Sequence, residues 1–302
     1  MKKKIKFIIN PLSGGKNKNS IPGLIYDLMD QEKYDIDLHI TTSEENTLAI
    51  AIAAKNEKID AIVAVGGDGT LNNIARFLTG TEIALGIIPM GSGNGFAREL
   101  HIPMNSSKAL ELINEFNIKT VDTGSVNNKI FMNVCGIGFD AHVTGLFAGS
   151  KTRGLKTYAQ LTLKEMRTYK PQTYQLTIDG KKNIQKAFML VVCNGTQYGN
   201  NAYIAPEASF DDGMFNITIV EDFKWFELVS LIPQLFLKKI HEAKNVKTFF
   251  GKSIKIMRNE PAFVNIDGES VWMNNELLID LKPLSLKVIV PTSNFTDKNF
   301  NK

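Results

Sequence analysis

Short apolar runs alternate with amphipathic segments over about the first 120 residues, the pattern of parallel strands joined by crossover helices. The runs at 6–10, 35–41, 61–65 and 84–89 predict strands, and the segments at 21–29, 45–56, 71–78, 96–100 and 106–115 predict helices. This is a doubly wound layout. Beyond it the helical spacing gives way to strands broken by turn residues: GSVNNKIFMNVCGIGF, TYQLTIDGKKNIQKAFMLVVCNG and GMFNITIVED. Two helical insertions, 151–169 and 223–243, interrupt this part before strands resume at SIKIM, AFVNIDGES and LSLKVIV. The pattern predicts an α/β domain at 1–122, a β-rich domain at 123–292 and a tail at 293–302, the two domains packing closely with a cleft between them. No repeat of solenoid period is present.

Composition narrows the class without naming it. The chain has 302 residues, 43% hydrophobic and 22% charged, as in ordinary soluble proteins. A net charge of +4, from 35 basic and 31 acidic side chains, predicts no nucleic-acid surface. The start, MKKKIKFIINPLSGG, has the charge of a secretory signal, but its apolar run is only Phe7 to Ile9, so it reads as a first strand. No stretch reaches the roughly 18 apolar residues of a membrane span. Two cysteines, Cys135 and Cys193, are too few for a disulfide framework, which predicts a reduced cytoplasmic protein. His39, His101, His142 and His241 have no ligand spacing, which argues against zinc.

What recurs is a strand followed by a glycine loop: NPLSGGKN at 10–17, GGDGTLN at 66–72 and GSGNG at 91–95. Loops at the carboxyl ends of strands in an open α/β sheet line one crevice. Glycines let backbone N–H groups approach an oxyanion, and the helix behind each loop adds partial positive charge, so three such loops predict a phosphate site. None is a Walker loop, and GSGNGF lacks the third glycine of the dinucleotide fingerprint. Asp68 either closes a turn by accepting backbone hydrogens or faces a polyphosphate through Mg2+, since a bare carboxylate would repel it. Thr70 and Ser92 offer hydroxyls and Asn72 and Asn94 amides, although each also suits a helix start.

The second domain carries two acidic segments. FDDGMF at 210–215 presents carboxylates and a glycine bend, suiting either a hard cation or a polar turn. NIDGES at 265–270 offers Asp267 or Glu269 to accept a hydroxyl proton. TIDGKK at 177–182 shares the Asp-Gly start but continues with lysines, as an ordinary hairpin turn would.

Taken together, NPLSGG, GGDGTLNNIA, IPMGSGNGFAREL, GIGFDA, CNGTQYGNNAYIAPEASFDDGMFNI and NIDGES resemble the diacylglycerol kinase catalytic family, which includes bacterial lipid kinases and the sphingosine and ceramide kinases. The resemblance spans nearly the whole chain in order. It implies a Rossmann-like, NAD kinase-like α/β domain and a C-terminal β-sandwich domain, with ATP and Mg2+ as cofactors. Nucleotide contacts are implied at Asn10, Pro11, Ser13, Gly14, Thr42, Gly66, Gly67, Asp68, Gly69, Thr70, Asn72 and Ser92. A structural Mg2+ is implied at Asp212 with the backbone carbonyls of Ser209 and Met214. The catalytic set is Glu269, Asp267 and Asp68, with Glu269 favoured as proton acceptor and Asp267 as the base or its orienting partner. One departure is Gly95, which stands where many bacterial relatives have Asp in a GTxNDFAR motif.

The expected activity is transfer of the ATP γ-phosphate to a lipid hydroxyl, diacylglycerol-like or sphingoid. The competing readings are an NAD kinase-like phosphotransferase with a soluble acceptor and a non-catalytic nucleotide or lipid sensor. A lipid substrate implies work at a membrane surface, and TRGLKTYAQLTLKEMRTYK at 152–170 and FKWFELVSLIPQLFLKKIH at 223–241 are the segments suited to an anionic bilayer, or to a core-facing role with solvated lysines. A homodimer is compatible with this reading.

Overall fold

The computed structural model describes residues 1–11, 18–91, 93–150, 155–224 and 227–292. Contacts divide the chain into one unit of Met1–Val121 with the chain from Leu284 onward, and a second of Asp122–Pro283. The sequence pattern ran the second domain on to residue 292; its return to the first unit has no local signal.

The first unit contains strands β1 (Lys3–Ile9), β2 (Tyr34–Ile40), β3 (Ala61–Gly66) and β4 (Ala84–Pro89), with helices α1 (Ile21–Leu28), α2 (Glu44–Asn56), α3 (Asp68–Leu78), α4 (Gly95–Glu99) and α5 (Ser106–Glu115). The strands pair in parallel in the order β2-β1-β3-β4. β3 and β4 are buried at every position, which is why they read as unbroken apolar runs rather than alternating ones. Phe7, Val63, Val65 and Ile88 pack with Ile25 of α1 and Leu110 and Ile113 of α5. Chain order reverses between β1 and β3, and ligand crevices of open α/β sheets form at such a reversal, outside the carboxyl ends of the strands. Helix α3 starts three residues before the predicted 71. Gly67, extended at the N-cap, turns the chain directly into it, so Asp68, Gly69 and Thr70 form its first turn rather than a loop.

The chain enters the second unit along β5 (Ile118–Val126), then β6 (Lys129–Phe131), β7 (Val134–Gly138), α6 (Phe139–Ala148), α7 (Leu155–Glu165), β8 (Gln172–Ile178), β9 (Lys181–Ala187), β10 (Met189–Cys193) and β11 (Phe215–Val220). It continues through α8 (Leu228–Phe236), β12 (Val246–Gly251), β13 (Ser253–Met257), β14 (Ala262–Ile266), β15 (Glu269–Met273) and β16 (Glu276–Ile289). One layer is the antiparallel sheet β12-β11-β10-β7-β14-β15; the other runs β16-β13-β8-β9, with β5 and β6 beside β16. Cys135, Ile137, Val192, Ile217 and Val264 of the first layer meet Leu176, Ile178, Ile254, Ile256 and Leu277 of the second. The result is a β-sandwich.

Three elements differ from the sequence pattern. Helix α6 has no place in the sequence pattern, because Gly138, with a left-handed φ of 85°, turns β7 into it without a polar cap, and Val143, Thr144 and Gly145 are weak helix formers. AFVNIDGES is two strands, β14 and β15, joined at Asp267-Gly268, both with positive φ as a type I′ turn requires. The helix expected over 223–243 ends at Phe236, where Lys238 adopts a left-handed φ and Lys239 N–H donates to Gln234 O, a Schellman closure. Among the described residues no helix is long and apolar enough to cross a membrane.

Candidate functional site

In the first unit the described parts of the strand-end loops meet around the start of α3. Asn10 leaves the end of β1, and its Nδ2 donates to Thr70 Oγ1 (3.1 Å) in the first turn of α3. Gly66 ends β3 and holds the start of the third loop, its carbonyl accepting Met90 N–H (2.7 Å). A Cβ added at Gly91 would lie 2.7 Å from Gly67 Cα and from Asn94 Oδ1, so this approach requires glycine. Asn94, left-handed at φ 49°, closes the third loop both ways: Gly91 N–H donates to its Oδ1 (3.1 Å) and its Nδ2 donates to Gly91 O (2.8 Å). Arg98 Nε donates to Gly93 O (3.0 Å) from the following helix.

Asp68 joins two of these loops. Asn94 N–H donates to Oδ2 (2.9 Å) and Gly95 N–H to Oδ1 (3.2 Å). Of the two roles the sequence allowed, accepting backbone hydrogens is realised, and it reaches across to the next loop as well as to its own N–H. Burial pushes its carboxyl above the ordinary range, while the backbone N–H groups of Asn94, Gly95 and Asp68 itself and the Arg98 charge act in the opposite direction. Each carboxylate oxygen can accept more than one hydrogen bond, so a cation remains chemically accessible to it, and a divalent one would offset the burial cost.

Thr41 N–H donates to Ile9 O (2.9 Å), which places Thr42 beside the end of β1, and Thr42 N–H bonds Asn46 Oδ1 (3.3 Å) at the start of α2. Pro11 follows Asn10 and is exposed. Asn72 is buried on α3, and Gly69, where a Cβ would meet nothing within 4 Å, lies on open space. Ser13, Gly14 and Ser92 lie outside the described residues.

In the second unit the Asp267-Gly268 turn separates the roles of its two acids. Asp267 Oδ2 accepts Met132 N–H (2.7 Å), and Oδ1 accepts Asn133 and Val134 N–H (each 2.9 Å), while Asp267 N–H donates to Val134 O (3.0 Å). The carboxylate is a staple for the β6–β7 connection. The Asp179-Gly180 turn between β8 and β9 is built alike: Asp179 Oδ1 accepts Lys252 N–H (3.0 Å) and Ser253 N–H (2.9 Å). Stapling is therefore what the Asp of an Asp-Gly hairpin does in this protein, and the residue after the glycine is what differs, Lys181 in one and Glu269 in the other. Glu269 is half-buried and opens β15 opposite Ile266.

The FDDGMF segment forms a turn in which Met214 N–H donates to Asp212 Oδ1 (3.0 Å) and Ser209 Oγ donates to Asp211 Oδ1 (2.7 Å). Gly213, at φ 71°, donates its N–H to Oδ2 of Asp122 (2.9 Å), a residue 1% exposed. Asp122 was missed in the sequence; only VDTG at 121–124, an acid inside an apolar strand, signals it. Among the described residues no three His, Cys, Asp or Glu side chains converge on a metal position. A cation here would depend on Asp212 and the carbonyls of Ser209 and Met214, an all-oxygen set suited to Mg2+ or Ca2+.

Residues 4–126 match the diacylglycerol kinase catalytic domain, and residues 133–290 match the YegS C-terminal NAD kinase beta sandwich-like domain. The chain is 29% identical to the diacylglycerol kinase of Mycobacterium tuberculosis (strain ATCC 25618 / H37Rv), covering 84% of each. It is 26% identical to the diacylglycerol kinase of Bacillus subtilis (strain 168), covering 88% of this chain and 90% of that one. The fold superposes on the crystal structure of a diacylglycerol kinase from Bacillus anthracis str. Sterne with a TM-score of 0.73 at 22% identity, covering 96% of this chain and 98% of the other.

Proposed function

Since the chain belongs to the diacylglycerol kinase catalytic family, phosphotransferases with an alcohol acceptor, we propose that it transfers the γ-phosphate of ATP to a lipid hydroxyl of the diacylglycerol or sphingoid kind. The observation that carries this reading is the junction of strand-end loops through Asn10–Thr70 and Asp68–Asn94–Gly95 where the strand order reverses. Backbone N–H groups there suit the polyphosphate, with Asn10, Pro11, Ser13, Gly14, Thr42, Gly66 to Thr70, Asn72 and Ser92 as its contacts.

Phosphoryl transfer needs positioning and charge stabilisation more than covalent help. Mg2+ bound by Asp68 would neutralise developing phosphate charge, and a second ion at Asp212 with the Ser209 and Met214 carbonyls would brace the turn. Glu269 accepts the proton of the attacking hydroxyl. Asp267, committed to three backbone donors, orients the turn that carries Glu269. The acceptor arrives from a membrane surface: Ile232, Phe236 and Leu237 are exposed on and just after α8, next to Lys238 and Lys239, and such a cluster suits an anionic bilayer. The protein acts in the cytoplasm, at the inner face of the membrane.

Incubation with [γ-32P]ATP, Mg2+ and either a total lipid extract or NAD tests the reading. Label is expected in the organic phase. Label in NAD alone selects the soluble-acceptor reading, and ATP binding without transfer to either selects the sensor.

A further inference from the structure

The GIGFDA segment has no part in the chemistry above, yet it places a buried acid next to the turn that carries Glu269. Asp140, 5% exposed in the first turn of α6, accepts Asn265 Nδ2 at its Oδ2 (2.8 Å). The other end of that amide, Asn265 Oδ1, accepts the N–H of Gly268 (2.8 Å), the residue immediately before Glu269. Gly136 pairs with Asn265 across β7 and β14, and any Cβ there would overlap Asp140 Oδ2, so its lack of a side chain makes room for the carboxylate.

An ionised carboxylate only accepts hydrogen bonds. Facing Asp140, Asn265 must present its NH2 group, which commits its oxygen to Gly268. We propose that Asp140 is a positioning residue for phosphoryl transfer: acting through Asn265, it fixes the Asp267-Gly268 turn from which Glu269 projects. This rests on Glu269 being the proton acceptor.

The environment makes the acid costly to keep. Burial raises the Asp140 carboxyl to about 6, partly offset by the Asn265 hydrogen bond. The ionisable groups around it are Cys135 of β7, Tyr158 of α7, Cys193 of β10 and Tyr198, all pushed upward by burial and so neutral near pH 7. His142, further along α6, pairs with Glu165 of α7 (3.0 Å). A buried titratable acid kept at a cost, aimed at a candidate catalytic turn, has a function to account for it.

The test is an exchange of polarity. Asp140→Asn removes the charge that enforces the orientation of the Asn265 amide, Asn265→Asp sets two acceptors face to face, and their combination restores the relay as a charged pair reversed: the amide at 140 donates to a carboxylate at 265 that still accepts Gly268 N–H. Each single variant should lower kcat about tenfold or more with KM for ATP within about twofold, and the double variant should recover most of that loss. In 15N-glycine-labelled protein carrying His142→Gln, the Gly268 amide resonance should shift with a midpoint near pH 6 and lose that shift when Asn265→Ala is added. Losses that multiply in the double variant, or a Gly268 resonance indifferent to pH and to Asn265, overturn the proposal. A wild type that phosphorylates no lipid overturns the lipid-kinase reading instead, while the Gly268 resonance still reports on the relay.

Discussion

Replacing Asp267 by Asn should damage the fold more than the isosteric Glu269→Gln, although the two acids are two residues apart. Asp267 holds three N–H groups from Met132, Asn133 and Val134, all buried residues. An Asn there keeps Oδ1 for Asn133 and Val134 but turns an NH2 group towards Met132 N–H, exchanging a 2.7 Å charge-assisted bond for a donor facing a donor. Losing one such bond, stranding its partner and removing the charge from the other two costs about 2–4 kcal/mol. In a unit of this size that lowers Tm by roughly 5–10 °C. Glu269→Gln leaves the Asp267 staple intact and keeps the side chain's size, so its cost should be the smaller of the two. Differential scanning calorimetry and urea unfolding followed by tryptophan fluorescence measure both. If Asp267→Asn unfolds at the wild-type midpoint, the staple is not a stabilising feature. The division of labour between the two acids then loses its physical basis.

The two glycine loops give a contrasting pair. Gly91→Ala forces a Cβ against Gly67 Cα and should lower stability by about 2 kcal/mol or more and weaken ATP binding by calorimetry, whereas Gly69→Ala meets open space and should be neutral or gain up to about 1 kcal/mol of helix propensity. Asp140 sets a pH dependence. Its folded carboxyl, raised from 3.8 to about 6, binds its proton more tightly than the unfolded one, so the stability it contributes is full below pH 3.8 and lost as pH rises through about 6. The loss amounts to about 3 kcal/mol. Asp140→Asn lacks this titration and should gain that much on the wild type between pH 4 and pH 7 in urea unfolding; a constant difference contradicts it. Phe236→Glu with Leu237→Glu should reduce sedimentation with phosphatidylglycerol vesicles about tenfold or more without changing Tm, since both side chains are exposed.

Much of the fold is legible in the residues because the signals are local. The buried strands β3 and β4 announce themselves as AIVAVG and ALGIIP, and TIDGKK announces the β8–β9 hairpin. Helix α6 is hidden because its start depends on Gly138 and on packing of Phe139 and Val143 against Phe188, a long-range partner. The same limit applies to the site. GGDG and GSGNG are visible as loops, but that Asp68 bonds the N–H groups of Asn94 and Gly95 is a contact between residues 26 and 27 positions apart. Asp267 could be named as a candidate, yet its staple lies 135 residues upstream at Met132. Asp140 and Asn265 stand inside the GIGFDA and NIDGES motifs, but neither the amide's orientation nor the room above Gly136 has a sequence signature that joins them.

The most direct test of the central claim is transfer from [γ-32P]ATP to diacylglycerol in mixed micelles by wild type and Glu269→Gln at equal fraction folded. The account predicts lipid-phase label from the wild type and a loss of about 100-fold or more in kcat for Glu269→Gln, the range a general base contributes, with KM for ATP little changed. Glu269→Gln turning over within about threefold of the wild type would contradict the assignment of proton acceptor.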